Sequence, residues 1–73
     1  MLVIVTMKDG ALYKGVKCGS EGGLLYLANP LHLTKDEEDM EGYMESPVGD
    51  EVHGLRLLLV PVADIKNIVS NRN

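Results

Sequence analysis

The 73-residue chain contains no tryptophan and no phenylalanine, and tyrosine occurs only three times. Large aromatic side chains bury the most area per residue, so a core built from this sequence depends on Val, Leu and Ile. Apolar residues nevertheless make up 45% of the chain. A single domain this short has difficulty burying so much apolar surface. The composition therefore favours association between subunits.

Cysteine is equally scarce. Cys18 is the only one, so no intramolecular disulfide is possible, and a lone thiol fits a reducing compartment. We expect this thiol to be buried and inert on a strand face. The N-terminal apolar run, Met1–Met7, lacks a basic region and is too short for a signal peptide. Leu57–Ala63 falls far short of the roughly 20 residues of a membrane span, so a cytoplasmic protein is predicted.

Residue sets for catalysis are also missing. The chain has two histidines and one cysteine, and it shows neither a Ser-His-Asp set nor a glycine-rich phosphate loop before a helix. The acidic run Asp36–Asp39 lacks the Asp-x-Asp-x-Asp-Gly spacing of a calcium loop. We therefore expect a protein that is not an enzyme, with no cofactor and no metal site.

Negative charge is concentrated in one segment. Residues 34–51 hold eight acids and one base, a net charge of −7, whereas the remainder holds three acids and six bases, a net charge of +3. A mildly basic body is compatible with nucleic-acid binding, although the acidic segment would repel phosphates. The segment is predicted to be a solvated loop or a hairpin arm. The spacing of Met40, Tyr43 and Met44 also permits a short helical turn.

Short apolar runs punctuated by glycine are abundant. The turn signals Asp9-Gly10 and Gly19–Gly23 separate runs rich in Val, Ile, Leu and Tyr, which is the pattern of antiparallel hairpins. Gly15 lies in the middle of one run, where glycine usually marks a bend or a bulge. The predicted strands are Met1–Lys8, Ala11–Cys18, Leu24–Ala28, Val52–Val60 and Ile65–Val69.

Irregular positions delimit the later strands. Asn29-Pro30 ends the third strand or interrupts it before Leu31–Thr34. Gly54 is the start of the fourth strand or a bend, Pro61 ends it, and Val62–Asp64 forms a turn or a short 3₁₀ helix. A bent strand lets few residues form a barrel. The sequence therefore predicts an all-β fold in one domain, residues 1–73: a five-stranded, strongly bent antiparallel sheet forming a small open barrel, with an acidic insert at about 34–51.

One stretch has a more specific pattern. The phrase Val3-x-Val5-x-Met7-Lys8-Asp9-Gly10-x-x-Tyr13-x-Gly15, with two glycines five residues apart, resembles the opening motif of Sm-like proteins (the LSm and Hfq group). Leu24–Asn29 resembles the third strand of that family, and Leu59–Ile68 resembles its strand-turn-strand ending. The resemblance implies a homo-oligomeric ring, closed by pairing strand four of one subunit with strand five of the next. It also implies binding of single-stranded RNA, as a chaperone or a processing cofactor.

The resemblance suggests where RNA would bind. Family members use an Asp and an Asn around the second turn, and the matching positions here are Gly22 and Leu25. Val52-His53-Gly54 resembles the family's Ile-Arg-Gly. The candidate RNA-binding residues offer a positive charge, a ring on which a base can stack, or a carboxylate in place of the family's Asp. They are Lys17, Glu21, Tyr26, His53 and Arg56.

Two other functions remain open. The residues at the Asp and Asn positions, Gly22 and Leu25, together with the acidic insert, favour a ring-forming assembly or adaptor protein without nucleic-acid binding. A monomeric SH3-like module for peptides is the third alternative, although three tyrosines are few for an aromatic groove.

Overall fold

The computed structural model describes residues 1–35 and 42–70, and in these ranges the chain forms seven strands and one 3₁₀ turn, Val62–Asp64. The strands are β1 Leu2–Met7, β2 Leu12–Glu21, β3 Leu24–Lys35, β4 Tyr43–Pro47, β5 Asp50–Val52, β6 Leu55–Pro61 and β7 Ile65–Ser70. Every pairing is antiparallel, in the order β5-β6-β3-β2-β1-β7, with β4 also paired to β3. The all-β prediction is confirmed, but the sheet has more than five strands and is not closed into a barrel.

The first hairpin follows the turn signal at Asp9-Gly10. Asp9 Oδ1 accepts a hydrogen bond from Ala11 N at 2.9 Å, and Gly10 has φ of +95°. An aspartate that bonds the backbone two residues ahead and a glycine at positive φ are typical of tight turns. The predicted turn is therefore confirmed at these residues.

The second hairpin is tighter than the sequence indicates. Only Gly22 and Gly23 form the turn, both at positive φ, as a two-residue hairpin turn requires. Gly19 and Ser20, predicted to belong to the turn, pair with β3, so β2 continues to Glu21. The prediction that this strand ends at Cys18 was wrong because cross-strand pairing outweighs the low strand propensity of glycine and serine.

The predicted irregularity at Gly15 is confirmed as a bulge. Gly15 stands opposite two residues of β3, Asn29 and Pro30, and Asn29 adopts φ of +50°. A Cβ on Gly15 would lie 3.2 Å from the carbonyl oxygen of Ala28, so the close approach of the two strands favours glycine. Beyond this bulge β3 resumes and runs on to Lys35, as one of the two alternatives predicted.

Part of the acidic segment is a hairpin arm. Tyr43 and Met44 lie in β4, where they pair with Lys35 and Thr34 of β3. The helical-turn alternative is therefore wrong for these two residues, since pairing to β3 gives them extended backbone. Met40 and the run Asp36–Asp39 lie outside the described residues.

The predicted strand Val52–Val60 is two strands joined by a hairpin. His53 and Gly54 form its turn, with φ of +50° and +80°, and Val52 pairs with Leu55 across it. Gly54 thus marks the start of β6, which is one of the two alternatives that the sequence analysis gave for it. Pro61 ends β6, and the predicted 3₁₀ turn and last strand are confirmed.

The core is small. Within residues 1–35 and 42–70, five hydrophobic residues are buried, and they are Val3, Val5, Leu25, Leu27 and Val60. Met7, Tyr13, Leu58 and Ile65 pack against them from the same side of the sheet. On the opposite side, alternate residues of the same strands are only half-buried or exposed, among them Leu59 at 52% exposure. Most of the apolar surface therefore lies outside the core of a single subunit.

Candidate functional site

The predicted RNA-binding residues lie on two different hairpins. Lys17, Glu21 and Tyr26 belong to the β2–β3 hairpin, whereas His53 and Arg56 belong to the β5–β6 hairpin. The β2–β3 turn lies at the Pro61 end of β6, whereas His53 lies at the other end. Seven strand residues separate the two ends, a distance of about 20 Å at 3.4 Å per residue. The structure therefore does not bring His53 to the Gly22–Gly23 turn.

The first hairpin presents its candidates on opposite faces. Lys17 pairs with Leu27, whose side chain is in the core, so Lys17 lies on the core side where the sheet extends beyond β1. Tyr26 precedes Leu27 and therefore lies on the outer side, because side chains alternate along a strand. Glu21 pairs with Leu24 on that outer side. The ring of Tyr26 and the ammonium group of Lys17 therefore lie on opposite faces of this hairpin.

Arg56 has a partner inside the chain. Its Nη1 donates a hydrogen bond to the carbonyl oxygen of Gly49 at 3.1 Å, and the residue is half-buried. Lys14 is engaged similarly, with Nζ 3.3 Å from Glu45 Oε1 of β4. Both cations connect the β4–β5 arm to the body of the sheet. A structural role is therefore established for Arg56 by contact.

The remaining polar features are exposed or mixed in charge. A surface cleft of about 260 Å³ is lined by Met7, Lys8, Asp9 and Asp64, where the carboxylates would oppose an anion and the ammonium a cation. His32 lies against Tyr13, with ring centroids 5.2 Å apart. Within residues 1–35 and 42–70, no group of three His, Cys, Asp or Glu side chains is placed to hold a metal ion. The same ranges contain no helix that is long and apolar enough to cross a membrane.

Cys18 corrects another prediction. The thiol was expected to be buried, but the residue is exposed, and its Sγ lies 3.5 Å from the carbonyl oxygen of Tyr26. The register between β2 and β3 shifts at this position, since Lys17 pairs with Leu27 and Gly19 with Tyr26. Cys18 is thus the extra residue of a bulge, which removes it from the regular alternation of the strand.

Two strand edges between β6 and β7 lack a partner within the described residues, in addition to the outer edges of β4 and β5. Among the described residues, β7 pairs only with β1, and residues 58–61 of β6 pair only with β3. We call these two the open edges. On them or on the turn that joins them lie four large apolar side chains with 41–52% exposure, Leu59, Val62, Ile68 and Val69. An edge that is both unpaired and apolar is a template for pairing with another strand.

The sequence predicts a loop or a hairpin arm for the segment that holds β4 but does not give the bounds of the strand, and a weak signal for them exists. Gly42 and Gly49 bracket Tyr43–Pro47, and a short run between glycines is a possible strand. The bond from Val48 N to the Pro30 carbonyl oxygen fixes the ladder, so that the missing N–H of Pro47 points away from β3. Proline is tolerated at that position of an edge strand.

Comparison with known proteins gives no relative: no family model, no curated protein and no solved structure matches the chain.

Proposed function

We propose that the protein is an Sm-like, homo-oligomeric ring, in which the open edge of β6 in one subunit pairs with the open edge of β7 in the next. The carrying observation is the exposed apolar side chains at these edges, Leu59, Val62, Ile68 and Val69, beside a core of five buried hydrophobic residues in the part of the chain that the structure describes. Cyclic pairing of two different edges covers both of them in every subunit.

Three local features support the Sm-like assignment and its small open barrel. Gly15 bends the β2–β3 ladder through a bulge, as the resemblance implies. A single 3₁₀ turn joins the last two strands. Val62 N donates to the Gly23 carbonyl oxygen at 2.9 Å, which places that turn beside the β2–β3 turn. In the proposed ring, the turn between the last two strands therefore lies beside the β2–β3 turn, around which the family binds RNA, whereas His53 lies at the other end of β6.

The proposed activity of the ring is binding of single-stranded RNA, as a chaperone or a processing cofactor. A mildly basic body supports it, with Lys17 and Tyr26 exposed or half-buried near the β2–β3 turn. Specific observations favour the second candidate, an assembly or adaptor protein. The Gly22–Gly23 turn offers no side chains, and Leu25, at the family's Asn position, is 2% exposed in the core.

Native mass spectrometry tests the ring directly. We expect one closed oligomer of several subunits for the natural chain. Ile68→Lys is expected to give monomers, because it places a charge on an apolar open edge. Tyr43→Lys is the matched control, since Tyr43 is 54% exposed on β4, away from both open edges. A monomeric natural chain would contradict the proposed ring. An Ile68→Lys variant that forms an oligomer of unchanged size would show that β7 does not pair with the next subunit.

Fluorescence anisotropy with short U-rich and A-rich RNA tests the activity. Binding is expected to weaken as salt rises, because Lys side chains displace counterions from phosphates. Tyr26→Ala should weaken it by roughly 5- to 100-fold if a base stacks on the ring, corresponding to about 1–3 kcal/mol. Lys17→Ala should lower the salt slope by about 1. Tyr43→Ala is the control, and each variant's mass is checked first. An intact ring without RNA binding would favour the adaptor function.

A further inference from the structure

β4 is paired on one side only in the part of the chain that the structure describes, and its partner there is β3. Val48 N donates to the carbonyl oxygen of Pro30 at 3.2 Å, so the neighbouring pair, Leu31 and Pro47, exchanges no hydrogen bonds. Bonded and non-bonded pairs alternate along an antiparallel ladder. This one bond therefore fixes the direction of the backbone N–H and C=O groups along β4.

The outer edge of β4, which faces away from β3, offers five backbone groups. Met44 and Ser46 form the bonded pairs with β3, so Tyr43 and Glu45 direct their N–H and C=O groups outward. Pro47 also directs its C=O outward, but it has no N–H. Two donors and three acceptors in this alternation match one added antiparallel strand.

The side chains of this edge combine exposed apolar surface with negative charge. Tyr43 and Met44 are both 54% exposed. Glu45 is also exposed, and although Lys14 Nζ lies 3.3 Å from its Oε1, a carboxylate can accept from a second cation as well. Residues 34–51, which include β4, carry a net charge of −7. A strand that complements this edge therefore carries positive and apolar side chains.

A second copy of β4 does not complement the edge. Pairing centred on Glu45 would place the two Glu45 carboxylates directly opposite each other, and like charges in such a pair are destabilising. Pairing centred on Met44 would satisfy the backbone groups of Tyr43 and Glu45, but it would bring together two segments that each carry a net charge of −7. The phosphates of a nucleic acid would be repelled in the same way.

We infer that the outer edge of β4 binds an extended, basic segment of a partner protein, which adds to the sheet as an antiparallel strand. This edge is distinct from the open edges of β6 and β7, so the inference does not depend on the proposed ring. The partner residue opposite Glu45 exchanges two hydrogen bonds with it, and the residue two positions further along does the same with Tyr43.

The alternation of side chains gives the partner a sequence pattern. A basic side chain opposite Glu45 lies beside the carboxylate as a cross-strand neighbour. An arginine two positions further along lies beside the Tyr43 ring, where a cation is attracted to the aromatic face. The residue between these two is directed to the other face of the sheet, where an apolar side chain covers Met44. Alternating basic and apolar residues therefore fit the edge.

Fluorescence anisotropy with a labelled, capped hexapeptide of alternating arginine and valine tests the inference. We expect saturable binding that weakens as salt rises, together with slower hydrogen exchange at the amides of Tyr43 and Glu45. The same peptide with glutamate in place of arginine is expected not to bind. Methylation of the arginine backbone nitrogens should abolish binding, because it removes the donors aimed at β4, whereas methylation of the valine nitrogens should preserve it.

Variants of Glu45 test charge and backbone separately. Glu45→Gln is expected to weaken peptide binding by roughly 2- to 5-fold, as for an exposed ion pair. Glu45→Pro also removes the outward N–H, which β3 does not use, so it should weaken binding further by about 5-fold while Met44 stays protected from exchange. Glu21→Gln is the matched control, since it removes an exposed acid from β2, outside residues 34–51, and it should leave binding unchanged.

The outcomes separate this inference from the proposed ring. Binding of the glutamate peptide, or equal weakening by Glu45→Gln and Glu21→Gln, would overturn a basic partner. Unchanged affinity for the peptide methylated at its arginine nitrogens would overturn strand addition. Native mass spectrometry of the same samples reports the ring: a monomer that binds the peptide at β4 would contradict the ring and support this inference, and a ring that does not bind it would do the reverse.

Discussion

Leu27→Ala is expected to lower the free energy of unfolding by about 3 kcal/mol. Leu27 is 0% exposed, and it is one of five buried hydrophobic residues among those that the structure describes. The core cluster is small, so few side chains are available to fill the resulting cavity. For a chain of this length the total stability is about 4–11 kcal/mol, so the substitution removes a large share of it. Urea unfolding at one fixed protein concentration measures the change, since assembly makes stability concentration-dependent.

Leu55→Ala is the matched control. It removes the same atoms from a leucine that is 55% exposed on β6, outside the edge proposed to pair with another subunit. Its cost should stay below about 1 kcal/mol, because little apolar area is lost from the interior. Similar losses in the two variants would show that the five buried residues do not form the core on which folding depends.

The strands that the sequence predicts best are those bounded by residues that favour a turn by themselves. β1 and β7 are bounded by Asp9-Gly10 and by the Pro61 and Val62–Asp64 junction, and both were predicted within about a residue of the observed bounds. In these strands, local propensity and tertiary pairing favour the same structure. Gly15 was predictable for a related reason, because a mid-strand glycine has few explanations other than a bulge or a close approach.

The strands that the sequence predicts poorly owe their structure to a partner. Tyr43–Pro47 is exposed along its length, and its apolar and polar residues do not alternate. It becomes a strand because β3 continues past Pro30 and offers backbone N–H and C=O groups with which Tyr43–Pro47 can pair. The split of the predicted strand at His53 was equally hidden, since a hairpin turn with histidine at positive φ departs from the usual Asn-Gly or Gly-Gly signals.

The candidate site was predicted as residue types, whereas its geometry required the register. Lys17 and Tyr26 are close along the ladder, yet the bulge at Cys18 and the alternation of side chains put them on opposite faces. Arg56 was nominated for its charge, but the position of Gly49 gives that charge an internal partner. Neither fact can be read from spacing alone, because both depend on residues far apart in the chain.

Gly49→Ala is expected to lower the free energy of unfolding by about 3 kcal/mol, or to release β5 from β6. Gly49 has φ of +88°, and an added Cβ would overlap the backbone carbonyl of Leu57. Relief requires the chain to move away from β6, which would break the Asp50–Leu57 pairing and the bond from Arg56 to the Gly49 carbonyl. Urea unfolding measures the loss, and hydrogen exchange at residues 50–52 detects local release.

Gly10→Ala separates the clash from backbone strain. Gly10 has φ of +95°, and a Cβ there would meet nothing within 4 Å. Its cost is therefore that of the left-handed conformation, about 1 kcal/mol. If Gly49→Ala costs no more than Gly10→Ala, the approach of Gly49 to Leu57 is not tight. A markedly larger loss of stability for Gly49→Ala, with faster hydrogen exchange at residues 50–52 than in the natural chain, would support the close approach of Gly49 to Leu57.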